Sequence, residues 1–482
     1  MRRAVSATAP RRLARWPSRS AAARRPSPPL AAAAPRRALA SAPRALEGAQ
    51  LTSALKHERS PSKMLLLLRH GVEVNDIHLS AAAMALARRV RETKGAANLK
   101  QLRGSAGYEE LMGELGAATI EMAEKQKLDP QAIANLAWAY AGLEVDHPAL
   151  MRSLSLAAVQ RRAQLNEQAV SMLMRAYSAL GIFDEELFGA LVRRAAELAP
   201  QMTEVAVASL LSSFARLRIL DDGLIRQIGR RTSALLQGRG LRGQNTVTMA
   251  WALARLNAGD AELIGQLTAH GMSEGTDLRS GNGSNLAWAM AVENQFTEES
   301  ARWVWADVER AWRANELKGI NAKQAHQALL TLRLEYPRWQ PPPAITDIAE
   351  ELRVFFAQES ADFAATQRRS NFELAVERLV EARFPGNVEG AVTIHEGYSV
   401  DMLVRPFDLI VEVDGPQHFV HGSRRPLGST LMKHRHLRAA GWKTVNVGYW
   451  ESDAVLRGTW SVDRALAEQD PNAGRAWPDN AH

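Results

Sequence analysis

The sequence predicts an α-solenoid of helical-hairpin repeats followed by a small α/β domain, and three observations carry that expectation. An apolar pattern of helical period recurs between about residues 130 and 340. The run Pro341, Pro342, Pro343 interrupts it. Beyond the prolines the apolar period changes from helical to alternating. With 482 residues, 46% hydrophobic and 23% charged, the chain is long enough for two or three packed domains and too apolar to be disordered throughout.

Residues 1–46 stand apart. They hold 11 of the 60 Lys and Arg and no acid, the first being Glu47, so the rest carries 49 basic against 52 acidic residues and the net charge of +8 is local. This Arg- and Ala-rich segment has the composition of an organellar transit peptide, with the mitochondrial matrix expected and the chloroplast as the alternative. A basic tail that binds nucleic acid is the competing reading. The apolar run Met64 to Leu68, and the longer Ala81 to Ala87 and Leu286 to Val292, are all too short to cross a membrane. The absence of cysteine excludes disulfides, Cys-type zinc sites and thiol nucleophiles.

Residues 47–129 read as a degenerate first repeat, starting near His78, and its connection. Within them, LLLLRHGVEVND (Leu65 to Asp76) imitates the Arg-His-Gly motif of histidine phosphatases; because helical repeat follows it, Arg69 and His70 are read as a helix end. From 130 to 340, one column runs Leu136, Leu173, Leu210, Met249, Leu286, Gln327, spaced by 37, 37, 39, 37 and 41 residues. The columns one, four and seven places on are also mostly apolar, which traces one helix face. Second amphipathic stretches (Glu186 to Glu197, Gly223 to Leu236, Glu262 to Met272, Ser300 to Trp312) complete each hairpin, and stacking buries what one hairpin leaves exposed.

A polar column, Asn135, Met172, Ser209, Thr248, Asn285, His326, falls near the expected helix starts. Capping is its preferred reading, and contact with RNA base edges, one per repeat, is the alternative, with Asn135 and Asn285 as candidates. Trp138, Trp251 and Trp288 share a column with Arg175, Ser212 and Leu329, read as inter-repeat packing rather than base stacking.

After the Pro-rich break and helix (341–366), a domain over 367–460 is expected to contain a helix from Phe372 to Arg383, strands within Gly397–Val404 and Phe407–Gly415, a helix from Ser429 to Ala440 stopped by Gly441, and a strand within Trp442–Trp450. Residues 461–482 read as a tail. Alternation brings Asp401, Glu412 and Asp414 to one face, where carboxylates can hold Mg²⁺. Residues 415–450 contain no acid but carry Arg424, Arg425, Lys433, Arg435, Arg438 and Lys443, a pattern suited to a phosphate backbone. A competing reading pairs Glu412 and Asp414 with Arg435 or Arg438. His434 and His436, two apart on a helix, do not face each other and are not read as metal ligands.

The run from Asp401 through IVEVDGPQHF to LMKHRHLRAAGWKTVNVGYWE resembles a RAP domain, over about Ile394 to Leu456. RAP domains are similar to very-short-patch repair endonucleases and the wider PD-(D/E)XK nuclease fold, and a RAP domain behind such repeats resembles the FASTK family and the algal octotricopeptide and heptatricopeptide proteins. The resemblance implies an organellar RNA-binding protein acting in RNA processing, stability or translation, with organellar mRNA or rRNA as partner and no cofactor needed for binding. By position, Asp401 and Glu412 match the two acidic metal ligands of the nuclease fold, Asp414 stands where its lysine belongs, and His418 and Lys433 are the candidates to assist. A Mg²⁺-dependent endoribonuclease is therefore the first alternative. A scaffold binding proteins of organellar ribonucleoprotein particles is the second.

Overall fold

The structure is a computed structural model that describes Ala14, Arg15 and residues 48–469, apart from short breaks at 71–72, 93–95, 239, 260, 277, 279–280 and 342. The segment 1–46, read above as a transit peptide, lies outside the described residues but for Ala14 and Arg15, which pair with Phe183 and Ile182. No described helix is long and apolar enough to cross a membrane. The chain divides into two compact units, residues 1–217 with 226–231 and residues 218–225 with 232–482.

Unit 1 is helical: α1 (Gly48–His57), α2 (Pro61–His70), α3 (Asp76–Glu92), α4 (Ala96–Arg103), α5 (Tyr108–Glu124), α6 (Pro130–Gly142), α7 (Pro148–Gln160), α8 (Glu167–Leu180), α9 (Glu185–Leu198) and α10 (Glu204–Leu217). Helix α2 ends at His70, so the phosphatase-like run is a helix end as expected. The first helices of the hairpins, α3, α6, α8 and α10, stack side by side, and the second helices, α5, α7 and α9, form the other layer. Leu136, Leu173 and Leu210 are fully or almost fully buried, as are Tyr140, Tyr177 and Phe214 one turn on. Two of these aromatic residues also tie the layers together: the Tyr140 hydroxyl lies 3.0 Å from Thr119 Oγ1, and the Tyr177 hydroxyl donates to the Met151 carbonyl at 2.6 Å. Alanine and glycine, as where Gly142 faces Ala87, allow neighbouring first helices to approach closely.

The caps correct one expectation. Asp129 accepts from Gln131 N at 2.8 Å and Asn166 from Ala169 N at 2.8 Å, so these residues, not the polar column, start their helices. Asn135, Met172 and Ser209 each lie a turn and a half inside a helix and are half-buried on its outer face.

Helix α11 (Asp222–Gln237) has residues in both units, and unit 2 then contains α12 (Gly243–Arg255), α13 (Ala261–Ser273), α14 (Asn282–Glu293), α15 (Glu298–Arg313) and α16 (Ile320–Glu335). A long helix, α17 (Pro343–Thr366), starts directly at the proline break and packs on α15 and α16. The α/β domain then runs α18 (Asn371–Arg383), β1 (Val388–Thr393), β2 (Ser399–Val404), β3 (Leu409–Asp414), α19 (Gly428–Ala439), β4 (Lys443–Gly448), α20 (Ser452–Leu456) and α21 (Val462–Gln469). Strand order is β1-β2-β3-β4, with the first two pairings antiparallel and the last parallel. Helix α19 makes the crossover a parallel pair requires, and Gly441, with φ +96°, ends it as the sequence suggested.

Two elements differ from expectation. Strand β1 was not foreseen; its VEGAVT segment is largely exposed and lacks an apolar face. Residues 462–469, read as part of a tail over 461–482, form α21, whose Val462, Ala465 and Leu466 are buried against the sheet. One sheet face packs Met402, Val404, Leu409, Val411, Val445 and Val447 against α18, α20 and α21. The other packs Leu403 and Ile410 against Leu437 of α19, and near Tyr398 it meets Leu330 of α16 and Phe356 of α17.

Candidate functional site: the charged face beneath helix α19

The register Met402↔Val411 sets Asp401 opposite Glu412 on the face that α19 covers, and Asp414 lies two residues further along the same side. The three expected carboxylates are therefore brought to one face. Glu412 and Asp414 are each 3% exposed, so charges there need partners. Asp401 Oδ2 accepts from Val413 N at 2.7 Å. Lys433 Nζ, reaching down from α19, donates to Glu412 Oε2 at 2.7 Å and to the Ser399 carbonyl at 2.8 Å. Asp414 lies between two imidazoles, with His434 Nε2 3.2 Å from Oδ2 and His418 Nδ1 3.5 Å from Oδ1.

The electrostatics follow from burial. Burial, with the neighbouring Asp401 and Asp414 carboxylates, pushes Glu412 up to about 8 although Lys433 opposes it. Burial likewise raises Asp401 against the pull of Lys433. Burial works to lower the Lys433 ammonium, but Glu412 and Asp401 outweigh it and hold it above its ordinary value. For Asp414, burial is outweighed by His434, His418 and Lys433, and the carboxyl is held low.

This arrangement does not fit a magnesium ion. Mg²⁺ requires oxygen ligands in octahedral geometry, whereas the Lys433 ammonium occupies Glu412 Oε2 and the Val413 N–H occupies Asp401 Oδ2. Glu412 Oε1 is buried without a partner, yet among the described residues no three His, Asp or Glu side chains stand close enough to hold a metal. Asp401, Glu412, Asp414, Lys433 and His434 form an internally paired cluster beside the half-exposed His418.

The basic residues divide. Lys433 is committed to the cluster and is no surface contact for a phosphate. Arg435 donates to Glu335 Oε1 at 2.7 Å, to the Val292 carbonyl at 2.8 Å and to the Ala291 carbonyl, so it closes the C-terminal end of α14 rather than pairing with Glu412 or Asp414. Arg425 is half-buried and pairs with Asp222 at 3.0 Å. Arg424 is exposed, its guanidinium 5.1 Å from the Trp450 ring centre. Arg438 is exposed near the end of α19, and Lys443 is half-buried at the start of β4.

The histidines confirm that positions two apart diverge. His436, fully buried, places Nδ1 2.9 Å from the Tyr398 hydroxyl and Nε2 2.7 Å from Thr331 Oγ1 of α16. His326 of α16 stacks on Phe356 and places Nε2 2.8 Å from the Glu396 carbonyl. These residues join repeat to sheet. Sequence reasoning missed the joint: His326 stood in the polar column, and its burial depends on a domain that folds against it.

Residues 411–460 match the RAP domain family, from mid-β3 through α19 and β4 to the turn before α21. The chain is a RAP-domain protein with helical repeats. The repeats of this RAP-domain protein match, over residues 100–318, the family described as RNA-editing substrate-binding complex 6 protein. The chain is also similar to the RAP domain-containing protein, chloroplastic, of Oryza sativa subsp. japonica, 28% identical over 176 residues. That match takes in 35% of this chain and spans only 26% of the rice protein's length.

Proposed function

We propose that this RAP-domain protein binds single-stranded RNA along the first helices of its repeats, within an organelle, and acts in RNA processing, stability or translation. One observation carries the reading: the outer stripe of α6, α8, α10 and α12 is free of carboxylates. In unit 1 it presents Gln131, Asn135 and Trp138 on α6, Gln168, Met172 and Arg175 on α8, and Ser209, Ser212 and Arg216 on α10; in unit 2, α12 presents Gln244, Thr248, Trp251 and Arg255. All are half-buried or exposed. Amides and hydroxyls suit base edges, tryptophans suit base faces and arginines suit phosphates. The name of the family matched over 100–318 points the same way.

On this reading binding needs no cofactor. The RAP domain supports the repeats, and Arg424, Arg438 and Lys443 are its remaining candidates for backbone contact. Kinship of its sheet with the PD-(D/E)XK nuclease fold is part of the proposal, supported by Asp401 facing Glu412 on paired strands. The acid-free segment 1–46 and the chloroplastic name of the rice relative favour an organelle, the mitochondrial matrix first and the chloroplast as alternative. The test incubates the full chain with end-labelled organellar RNA in Mg²⁺ or in EDTA. Equal retardation of intact RNA in both is expected. Discrete Mg²⁺-dependent cuts, absent in Glu412→Ala, would replace this reading with an endoribonuclease, and no retardation would favour a scaffold for ribonucleoprotein-particle proteins.

A further inference from the structure

Charge is sorted between the two layers of unit 1. Around the second helices, arginines meet acids: Arg69 pairs with Glu110 and Glu114, Arg152 lies 3.9 Å from Asp184, and Arg162 and Arg194 share Glu197. The first-helix layer differs. Arg91 in the last turn of α3, Arg175 in the middle of α8 and Arg216 in the last turn of α10 are all exposed. None of the three has a hydrogen bond or ion pair among the described residues.

These arginines also feel one another. Burial first, and then the positive charges of Arg216 and Arg91, push the Arg175 guanidinium below its ordinary value, with no carboxylate to oppose them. Between α3 and α8 lies α6, whose Gly142 faces Ala87 of α3 and carries no side chain of its own. A cluster of like charges without counter-ions is unfavourable in the free protein and becomes favourable once an anion arrives, the kind of local conflict that marks a functional site.

The neighbours indicate which anion. Trp138 of α6 occupies the same repeat position as Arg175 of α8, so the two stand side by side on adjacent helices, with Ser212 of α10 beyond. One turn before them lie Asn135 and Met172, linked to Gln131, whose Nε2 is 3.1 Å from Asn135 Oδ1 and 4.0 Å from the Met172 sulfur. A cation cluster bordered by an indole and amides matches a nucleotide, which carries a phosphate, a flat base and hydrogen-bonding edges, better than an acidic peptide, which has anions and amides but no flat base for the indole.

We propose that Arg91, Arg175 and Arg216 form a seat for the phosphates of single-stranded RNA, with Trp138 beside it as a platform for a base. The proposal rests on the RNA-binding reading above and assigns its electrostatic anchor.

The test measures fluorescence anisotropy of labelled oligouridylate with the full chain over a range of salt concentrations, alongside chemical unfolding of each variant. Arg175→Gln and Arg216→Gln are each expected to weaken binding about tenfold, and to reduce the slope of log affinity against log salt by about 0.7 for each phosphate that is no longer neutralised. Unfolding midpoints should be unchanged or higher, because repulsion is relieved; a merely structural arginine would lower them. Arg193→Gln, an exposed position on α9 in the other layer, serves as the control and should leave affinity and slope unchanged. Should Arg175→Gln fail to fold, Arg216→Gln at its exposed helix end carries the test. Wild type that binds RNA while Arg175→Gln and Arg216→Gln bind it equally well overturns the seat and spares the RNA reading. Wild type that binds no RNA overturns both, and polyglutamate retained by wild type but released by Arg175→Gln would reassign the cluster to an acidic protein partner.

Discussion

Acidification should loosen the RAP domain from the repeats, and the cause can be traced to two imidazoles. Burial, then the charges of Arg435 and His326, push His436 down to about 3, while burial above all pushes His326 down to about 4. Both rings are neutral in the folded protein. The neutral His436 ring has one nitrogen that donates and one that accepts, placed against the Thr331 and Tyr398 hydroxyls, and a doubly protonated ring loses the acceptor. A histidine with a depressed folded value takes up its proton first in the unfolded chain. Its contribution is therefore fully present above the unfolded value of 6.5 and is lost as pH falls toward the folded value. Between about pH 7.5 and about pH 5, linkage gives a loss of about 2 kcal/mol for each ring, or about 4 kcal/mol together. Urea unfolding of wild type and His436→Gln at both pH values measures this. The variant begins less stable, and its change on acidification should differ from that of wild type by about 2 kcal/mol, the share of the His436 ring, because His326 and Glu412 titrate in both. Equal changes would refute the account, because they would mean that the His436 imidazole does not contribute to the pH dependence.

Two further perturbations examine the packing. Lys433→Met leaves the buried Glu412 and the half-buried Asp401 without their cation and should cost about 3 to 5 kcal/mol, with much of this recovered in Lys433→Met/Glu412→Leu; thermal melting of the single and double variants decides, and no recovery would show that Lys433 acts through the Ser399 carbonyl instead. A side chain on Gly428 would lie 2.1 Å from the Ala254 carbonyl and 2.8 Å from Val292, so Gly428→Ala should destabilise by about 1 to 3 kcal/mol and speed limited proteolysis ahead of α19; an unchanged proteolysis rate would show that the approach is not tight.

The repeats were legible because their signal is redundant: an apolar position that recurs six times needs no single column to be perfect, and Gln327 in the leucine column did not hide the pattern. Strands β2, β3 and β4 were legible for a related reason, since each alternates between two buried faces or runs apolar throughout. Strand β1 is an edge strand with little to bury, and α21 hides its three apolar anchors in a polar segment, so neither announced itself. The candidate site divided along a physical line. That Asp401 faces Glu412 follows from a period of two and a hairpin. That Lys433 and His434 descend onto Glu412 and Asp414 follows from how α19 crosses the sheet, which chain-local periodicity does not contain. The basic run of α19 invited a phosphate partner, and for Arg435 the negative charge is supplied by helix α14 and Glu335 of the same chain.

The position of α19 has a mechanical consequence. In a stack of hairpins each unit touches only its neighbours, so small rotations at successive joints accumulate and the stack behaves as a spring. In unit 2, one rigid helix meets three first helices at their C-terminal ends: Gly428 sits against Ala254 of α12, Arg435 against Ala291 and Val292 of α14, and His436 against Thr331 of α16. Such a brace correlates joints that nearest-neighbour packing leaves independent. The pitch of the last repeats, and with it the spacing at which their side chains meet a ligand, is then set by the RAP domain rather than by the repeats themselves.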